Sequence, residues 1–181
     1  MLKLRDLKEL PLDLSLQAMN RWPLYDAFER GGVTEAEFIK GLNDELSLSL
    51  TPDTLIPIWN TVLGSEVAGI ENILQKISTQ YPLFILTNSN PIHINFFKTN
   101  YAWVKYFTKV FTSFELGYRK PEAPIYEALI KATQLAPEEL LFLDDRIENV
   151  EGARRCGITS ELCSAPERDL PVILKNYAIG I

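Results

Sequence analysis

Two runs dominate the hydrophobic pattern. Leu83-Phe84-Ile85-Leu86 and Leu140-Leu141-Phe142-Leu143 are apolar at every position. A strand covered on both faces reads this way, because alternate side chains enter apolar layers on opposite sides. Lys109-Val110-Phe111-Thr112 and the stretch from Ile158 to Leu162 read as two more strands. Helical patterns separate them. Ile70, Ile73, Leu74 and Ile77 mark an amphipathic helix, a second follows Pro91, and others run from about Pro121 to Lys131, Ile147 to Cys156 and Leu170 to Leu174. Strands alternating with helices predict an α/β fold with a doubly wound parallel sheet.

The first third has a different texture. Leu14, Leu16, Met19, Trp22 and Leu24 supply apolar residues to a helical region that Gly31-Gly32 breaks. Thr34-Glu35-Ala36-Glu37 has the form of a capping box, with Thr34 as N-cap and Glu37 reaching back. Phe38, Leu42 and Leu46 follow at helical spacing. Thr51-Pro52-Asp53 opens another helix, since proline is tolerated in a first turn, and Leu55, Ile58, Trp59 and Leu63 form its apolar face. The pattern predicts a helical cap over 1–64 and an α/β core over 65–181, divided near Gly64-Ser65.

Composition narrows the function classes. The chain has 181 residues, 46% of them hydrophobic, enough for one core domain with a small insert. A net charge of −6 repels phosphate backbones and anionic lipid, so neither nucleic acid nor a membrane surface is an expected partner. Cys156 and Cys163 form no metal-type pair, and the start of the chain, Met1-Leu2-Lys3-Leu4-Arg5-Asp6, has no long apolar run. The expectation is a cytoplasmic protein in a reducing compartment, without a secretory signal or membrane span.

Ligands of open parallel sheets bind beyond the carboxyl ends of the strands, so the residues after each apolar run carry the candidate chemistry. Thr87-Asn88-Ser89-Asn90 offers hydroxyls, amides and backbone N–H groups suited to a phosphate, or else a polar turn into the helix begun by Pro91. Asp144-Asp145 places two carboxylates at the end of a buried strand. Their repulsion and desolvation would be relieved by a hard cation such as Mg²⁺, with Asn149 a helical turn further on; the alternative is that Asp145 only caps the next helix. Lys120 precedes the helix that starts near Pro121. A cation is unfavourable at a helix N-terminus unless an anion sits there too, which makes Lys120 a candidate phosphate ligand beside the alternative of a solvated lysine. His93, the only histidine, is either structural or in contact with substrate. No Ser/His/Asp order, P-loop or zinc spacing is present.

These sites, in this order, resemble the haloacid dehalogenase-like hydrolase superfamily over most of the chain. Leu83-Phe84-Ile85-Leu86-Thr87-Asn88 resembles its second motif, Gly117-Tyr118-Arg119-Lys120-Pro121-Glu122 its third, and Leu141-Phe142-Leu143-Asp144-Asp145 with Asn149, Gly152 and Ala153 its fourth. Phe28-Glu29-Arg30-Gly31, and Thr87-Asn88-Ser89-Asn90 with His93 close behind, are similar to the bacterial sugar-phosphatase branch with a small helical cap, which includes α-glucose-1-phosphatases. The resemblance implies a Rossmannoid three-layer core and Mg²⁺-dependent hydrolysis of a small phosphomonoester. It also implies roles: Thr87 and Asn88 on the phosphoryl oxygens, Lys120 neutralising charge, Asp144 with Asp145 on Mg²⁺, Asn90 and His93 towards the sugar.

The family's first motif, an apolar strand ending in the aspartate that attacks phosphorus, has no match. Asp6 is preceded by Arg5, which breaks the apolar run, and Asp13 by Pro11-Leu12, which leaves no strand. In the family that strand lies between those ending here at Thr87 and Asp144. The expectations are therefore a chain feeble or inactive as a hydrolase, or a phosphate-binding pseudo-phosphatase, or an interaction protein that self-associates through exposed strand edges. The missing pairing has three possible origins: a longer native chain, closure of the flanking strands, or supply by the first residues or a second copy.

Overall fold

The computed structural model describes residues 22–64 and 66–180. Asp6, Asp13, and Leu14, Leu16 and Met19 of the expected helical region lie outside the described residues.

Among the described residues, the helical segment expected to form the cap opens with α1 (Pro23–Glu29), which has proline in its first turn. It stops because Gly31 turns the chain with φ +69°, and a Cβ there would collide with the Phe114 carbonyl oxygen. Glycine thus serves both the left-handed turn and a close approach of cap to core. α2 (Glu35–Glu45) carries the expected capping box, with Thr34 accepting from Glu37 N–H and the Glu37 carboxylate accepting from Thr34 N–H. α3 (Pro52–Trp59) follows. Their apolar faces meet in one cluster in which Phe28 stacks on Phe38 at 4.1 Å and Trp59 meets Phe38 edge-on at 5.0 Å. Ile92, from beyond the cap, joins the same cluster.

The remaining elements alternate: α4 (Ile70–Ser78), β1 (Phe84–Thr87), α5 (Pro91–Asn100), β2 (Lys109–Thr112), α6 (Ser113–Leu116), α7 (Ala123–Thr133), β3 (Leu141–Asp144), α8 (Ile147–Arg155), β4 (Thr159–Leu162) and α9 (Pro166–Asn176). The period of two along the strands sorts their side chains into two apolar layers. On one side Leu86, Phe111 and Phe142 pack with Ile125, Tyr126 and Leu129 of α7 and Ala153 of α8. On the other, Leu83, Leu141 and Leu143 pack with Ile77 of α4 and Leu170, Ile173 and Leu174 of α9. Helices cover both faces, which gives the three-layer α/β architecture.

The sheet itself is in two pieces. β1 pairs in parallel with β2, Phe84 opposite Lys109 through Thr87 opposite Thr112. β3 pairs in parallel with β4, Leu141 opposite Thr159 through Asp144 opposite Leu162. No pairing joins the two halves among the described residues. The flanking strands therefore do not close up on each other, which removes one of the three expected origins of the missing pairing. Both faces of β1 and β3 are covered, as their apolar runs predict, but burial is incomplete. Only Leu86 of β1 and Asp144 of β3 are buried, and the other residues of both strands are half-buried. The cause is that each strand has a described neighbour along one edge only.

Candidate active site at the carboxyl ends of the strands

Asn88, which follows Thr87, and Asp144 both contact Lys120, so the carboxyl ends of β1 and β3 lie at one rim. The loop between α6 and α7 brings Lys120 to that rim. Gly117, at φ +78°, ends α6. Asn88 then fixes the loop from the β1 side: its Oδ1 accepts from Lys120 N–H at 2.8 Å and its Nδ2 donates to Lys120 C=O at 2.9 Å. From the other side α8 presses against the loop at Gly152, where a Cβ would lie 2.8 Å from Pro121 O and 3.0 Å from Tyr126 Cε2.

With its backbone clamped, Lys120 places Nζ 2.6 Å from Asp144 Oδ2. Their side chains are only 11% and 6% exposed. A buried ion pair is sustained only where further hydrogen bonds satisfy the remaining atoms, and Asp144 has them. Its Oδ1 accepts from Asn149 Nδ2 at 2.8 Å and from Arg146 N–H at 3.0 Å. Asn149 is buried, and its carbonyl accepts from Tyr126 OH at 2.8 Å. Burial, with the Asp144 charge as a further cause, raises the Tyr126 hydroxyl pKa, so it stays a donor.

Asp145 is exposed. The helix-capping alternative does not hold for it, because the N-cap of α8 is Arg146 and no side chain caps that end. Thr87 is half-buried, and its hydroxyl makes only a 3.3 Å contact with Asn88 C=O, which leaves it able to turn towards a ligand. The next residues are committed elsewhere. Ser89 N–H donates to Ser113 Oγ, which donates back to Ser89 C=O, both at 3.0 Å. The Asn88 side-chain amide is spent on Lys120.

The resemblance pointed Asn90 and His93 towards the sugar. The structure buries both and occupies them with each other and with the cap. Asn90 is the N-cap of α5, accepting from His93 N–H, and its Nδ2 lies 3.1 Å from His93 Nδ1. The imidazole stacks on Trp59 of the cap at 5.8 Å, with Nε2 3.3 Å from the Trp59 carbonyl oxygen. Burial pushes the His93 pKa down to about 4, against the pull of the Trp59 carbonyl. His93 is thus a neutral seam residue between cap and core.

A second group of charges had no signal in single motifs. Arg119, next to Lys120, reaches Asp26 at 2.8 Å and Glu29 at 2.7 Å on α1. Arg30 donates Nε to Asp26 at 2.8 Å and pairs with Glu122 at 2.5 Å. Glu29 is buried and takes a 2.6 Å hydrogen bond from Tyr25 OH; burial pushes its carboxyl pKa up, opposed by Arg119. The expected sugar-phosphatase segment Phe28–Gly31 and the lysine motif are therefore partners across 92 residues.

The oxygen donors at the rim suit a hard cation in type. Magnesium is commonly held by one or two carboxylates together with waters and phosphate oxygens. Among the described residues, however, no group of three or more His, Cys, Asp or Glu side chains is placed to hold a metal, and both oxygens of Asp144 already accept hydrogen bonds. Also among the described residues, no helix is long and apolar enough to cross a membrane.

Comparison with known proteins agrees with this geometry. Residues 19–162 match the family profile described as haloacid dehalogenase-like hydrolase. A D-ribitol-5-phosphate phosphatase from Bacteroides thetaiotaomicron is 26% identical over 155 residues, 80% of this chain and 73% of that protein. A sesquiterpene phosphatase from Aspergillus oryzae is 25% identical over 136 residues, 74% of this chain and 69% of the relative. In structure, a HAD-like family hydrolase from Porphyromonas gingivalis superposes with a TM-score of 0.82 at 26% identity, over 96% of this chain and 87% of the other. A HAD family enzyme from Bacteroides thetaiotaomicron, solved with magnesium and inorganic phosphate, superposes with a TM-score of 0.75 at 26% identity, over 81% and 78%. With the profile spanning cap and core alike, the chain belongs to the haloacid dehalogenase-like hydrolase family.

Proposed function

We propose that the rim between Thr87, Lys120 and Asp144 binds a small phosphomonoester together with Mg²⁺, and that the chain descends from enzymes that hydrolyse sugar-phosphate-type substrates. The observation that carries this reading is the Lys120–Asp144 pair at 2.6 Å, built at the strand ends and held by the Asn88 bracket. It supplies a fixed positive charge beside a carboxylate, with the Thr87 hydroxyl, on the residue before Asn88, available for phosphoryl oxygens. Asp144 and the exposed Asp145 would hold the magnesium, whose chemistry is to neutralise phosphate charge, and Asn149 keeps Asp144 in place. The similarity to phosphatases and to an enzyme solved with magnesium and phosphate supports it. The two similar phosphatases act on a polyol phosphate and on a sesquiterpene phosphate by name, so the shared feature to test is the phosphomonoester end.

Hydrolysis through an aspartyl-phosphate needs a further carboxylate facing Lys120. Among the described residues, the Lys120 ammonium bonds to Asp144 instead. We therefore expect the chain as given to turn over weakly; loss of a covalent nucleophile costs about 10⁴-fold or more. Release of phosphate from small sugar phosphates with Mg²⁺, abolished by Asp144→Asn and Lys120→Ala, would support an enzyme. Robust turnover unaffected by those changes would exclude this site.

The inner edges of β1 and β3 favour a second reading, a pseudo-phosphatase or interaction protein that binds phosphate without turnover and self-associates. Phosphate binding without hydrolysis, with dimers in sedimentation, would support it; a monomer at all concentrations would remove the self-association. The free thiols Cys156 and Cys163 suit the cytoplasmic setting we propose, and the net charge of −6 does not suit a nucleic-acid partner.

A further inference from the structure

The ion pairs between α1 and the Lys120 loop are arranged as a latch. Arg119 and Glu122 flank Lys120-Pro121, and each is tied to the cap: Arg119 to Asp26 and Glu29, Glu122 to Arg30. Arg30 also bonds to Asp26, so the two arms are cross-linked on the cap side. The Arg119 side chain is 13% exposed and that of Glu29 only 4%. Charges this far from water hold to one geometry, because separating them leaves a buried charge unpaired. The loop between the two arms is a turn, closed by Glu122 N–H donating to Arg119 C=O at 2.8 Å, and it carries the lysine that meets Asp144.

We infer that Arg119 is a positioning residue that couples the cap to Lys120, so that seating of α1 on the core sets the Lys120 ammonium against Asp144. The inference rests on the phosphate-site reading for its consequence, but the coupling itself needs no ligand. Swinging the cap away breaks both arms and leaves the loop held only from the core side, by Asn88; docking the cap adds the second restraint that aligns the lysine. Arg119 touches neither substrate nor metal in this scheme and acts through its neighbour in the chain.

The test uses the full chain and two readouts. The first is a denaturation double-mutant cycle between Lys120→Met and Asp144→Asn, run with Arg119 intact and again in Arg119→Gln. The coupling between Lys120 and Asp144 should fall by about fivefold or more, as an equilibrium factor, when Arg119 is lost. Unchanged coupling overturns the inference, because a merely structural arginine lowers stability without altering that pair. Asp26→Asn, at a half-buried carboxylate, replaces Arg119→Gln if the latter does not fold, with the same two outcomes in smaller size. The second readout is calorimetric titration with inorganic phosphate and Mg²⁺. Arg119→Gln should weaken binding several-fold without abolishing it, and an unchanged affinity would count against the coupling. If the native chain binds no phosphate, the site reading fails while the cycle still decides the latch.

Discussion

Asn88 holds Lys120 by its backbone, in a reciprocal pair of hydrogen bonds at 2.8 and 2.9 Å across 32 residues of sequence. The amide has the same donor-and-acceptor layout as a peptide unit, so Asn88 pairs with the loop much as a strand neighbour would. It leaves β1 and reaches the segment that delivers the lysine to the end of β3. Two halves of a divided sheet are thus bridged at the rim where the site lies. Asn88→Ala should lower stability by about 1–3 kcal/mol, since it leaves both partly buried backbone groups unpaired. Asn88→Asp keeps the acceptor only and should fall between. Urea titration checks the order, and an alanine variant as stable as the native chain would contradict it.

The Lys120–Asp144 pair should be worth more to each partner than to the fold. Removing either member alone strands a charge that is about nine-tenths buried or more, at a cost of about 3–5 kcal/mol. Lys120→Met with Asp144→Asn should be less destabilised than the sum of the single changes. Denaturation midpoints of the three variants test this; strict additivity would mean that the two side chains do not interact.

His93 gives the chain an acid-sensitive seam. Its folded pKa, about 4, lies below its unfolded value near 6.5. Above 6.5 both states are neutral and the residue adds no pH dependence. Between 6.5 and 4 the unfolded state takes up the proton and the folded state does not, so stability falls as the pH falls. The loss approaches about 3 kcal/mol below pH 4. His93→Gln should flatten this part of the stability curve and loosen the cap contact with Trp59. Thermal melts from pH 7 to pH 4 measure it, and an equal slope in the variant would assign the acid sensitivity elsewhere.

Gly152→Ala should cost about 1–3 kcal/mol by overpacking. The added methyl meets the Pro121 carbonyl oxygen and the Tyr126 ring, both held in place. Because Pro121 follows Lys120, the same change should weaken phosphate binding. A stable variant with native affinity would show that α8 can shift without moving the lysine loop.

Much of the fold was legible in the hydrophobic pattern. β2 was read at Lys109–Thr112, and β1 and β3 each begin and end one residue later than the apolar runs, because the polar Thr87 and Asp144 still pair in register. The capping box at Thr34 and the start of α3 at Pro52 followed from local chemistry alone. That Lys120, Asp144 and Asn149 come together was readable because strand ends and the loops beside them share one rim. Asn88, Asn90 and His93, which the resemblance directs towards a ligand, also satisfy a backbone, a helix end and a tryptophan; a polar side chain does not announce which partners within the protein it has. The latch of Arg119 and Glu29 was invisible for a related reason. Salt bridges across 90 or more residues leave no spacing signal, so the segments Phe28–Gly31 and Gly117–Glu122 could be quoted separately without showing that their charges pair.

Calorimetric titration of the full chain with inorganic phosphate, with and without Mg²⁺, tests the central claim most directly. Saturable binding that strengthens with Mg²⁺ and disappears in Lys120→Ala and in Asp144→Asn is the predicted result. No binding by the native chain under either condition, or binding that both variants retain, would contradict a phosphate site at the Lys120–Asp144 rim.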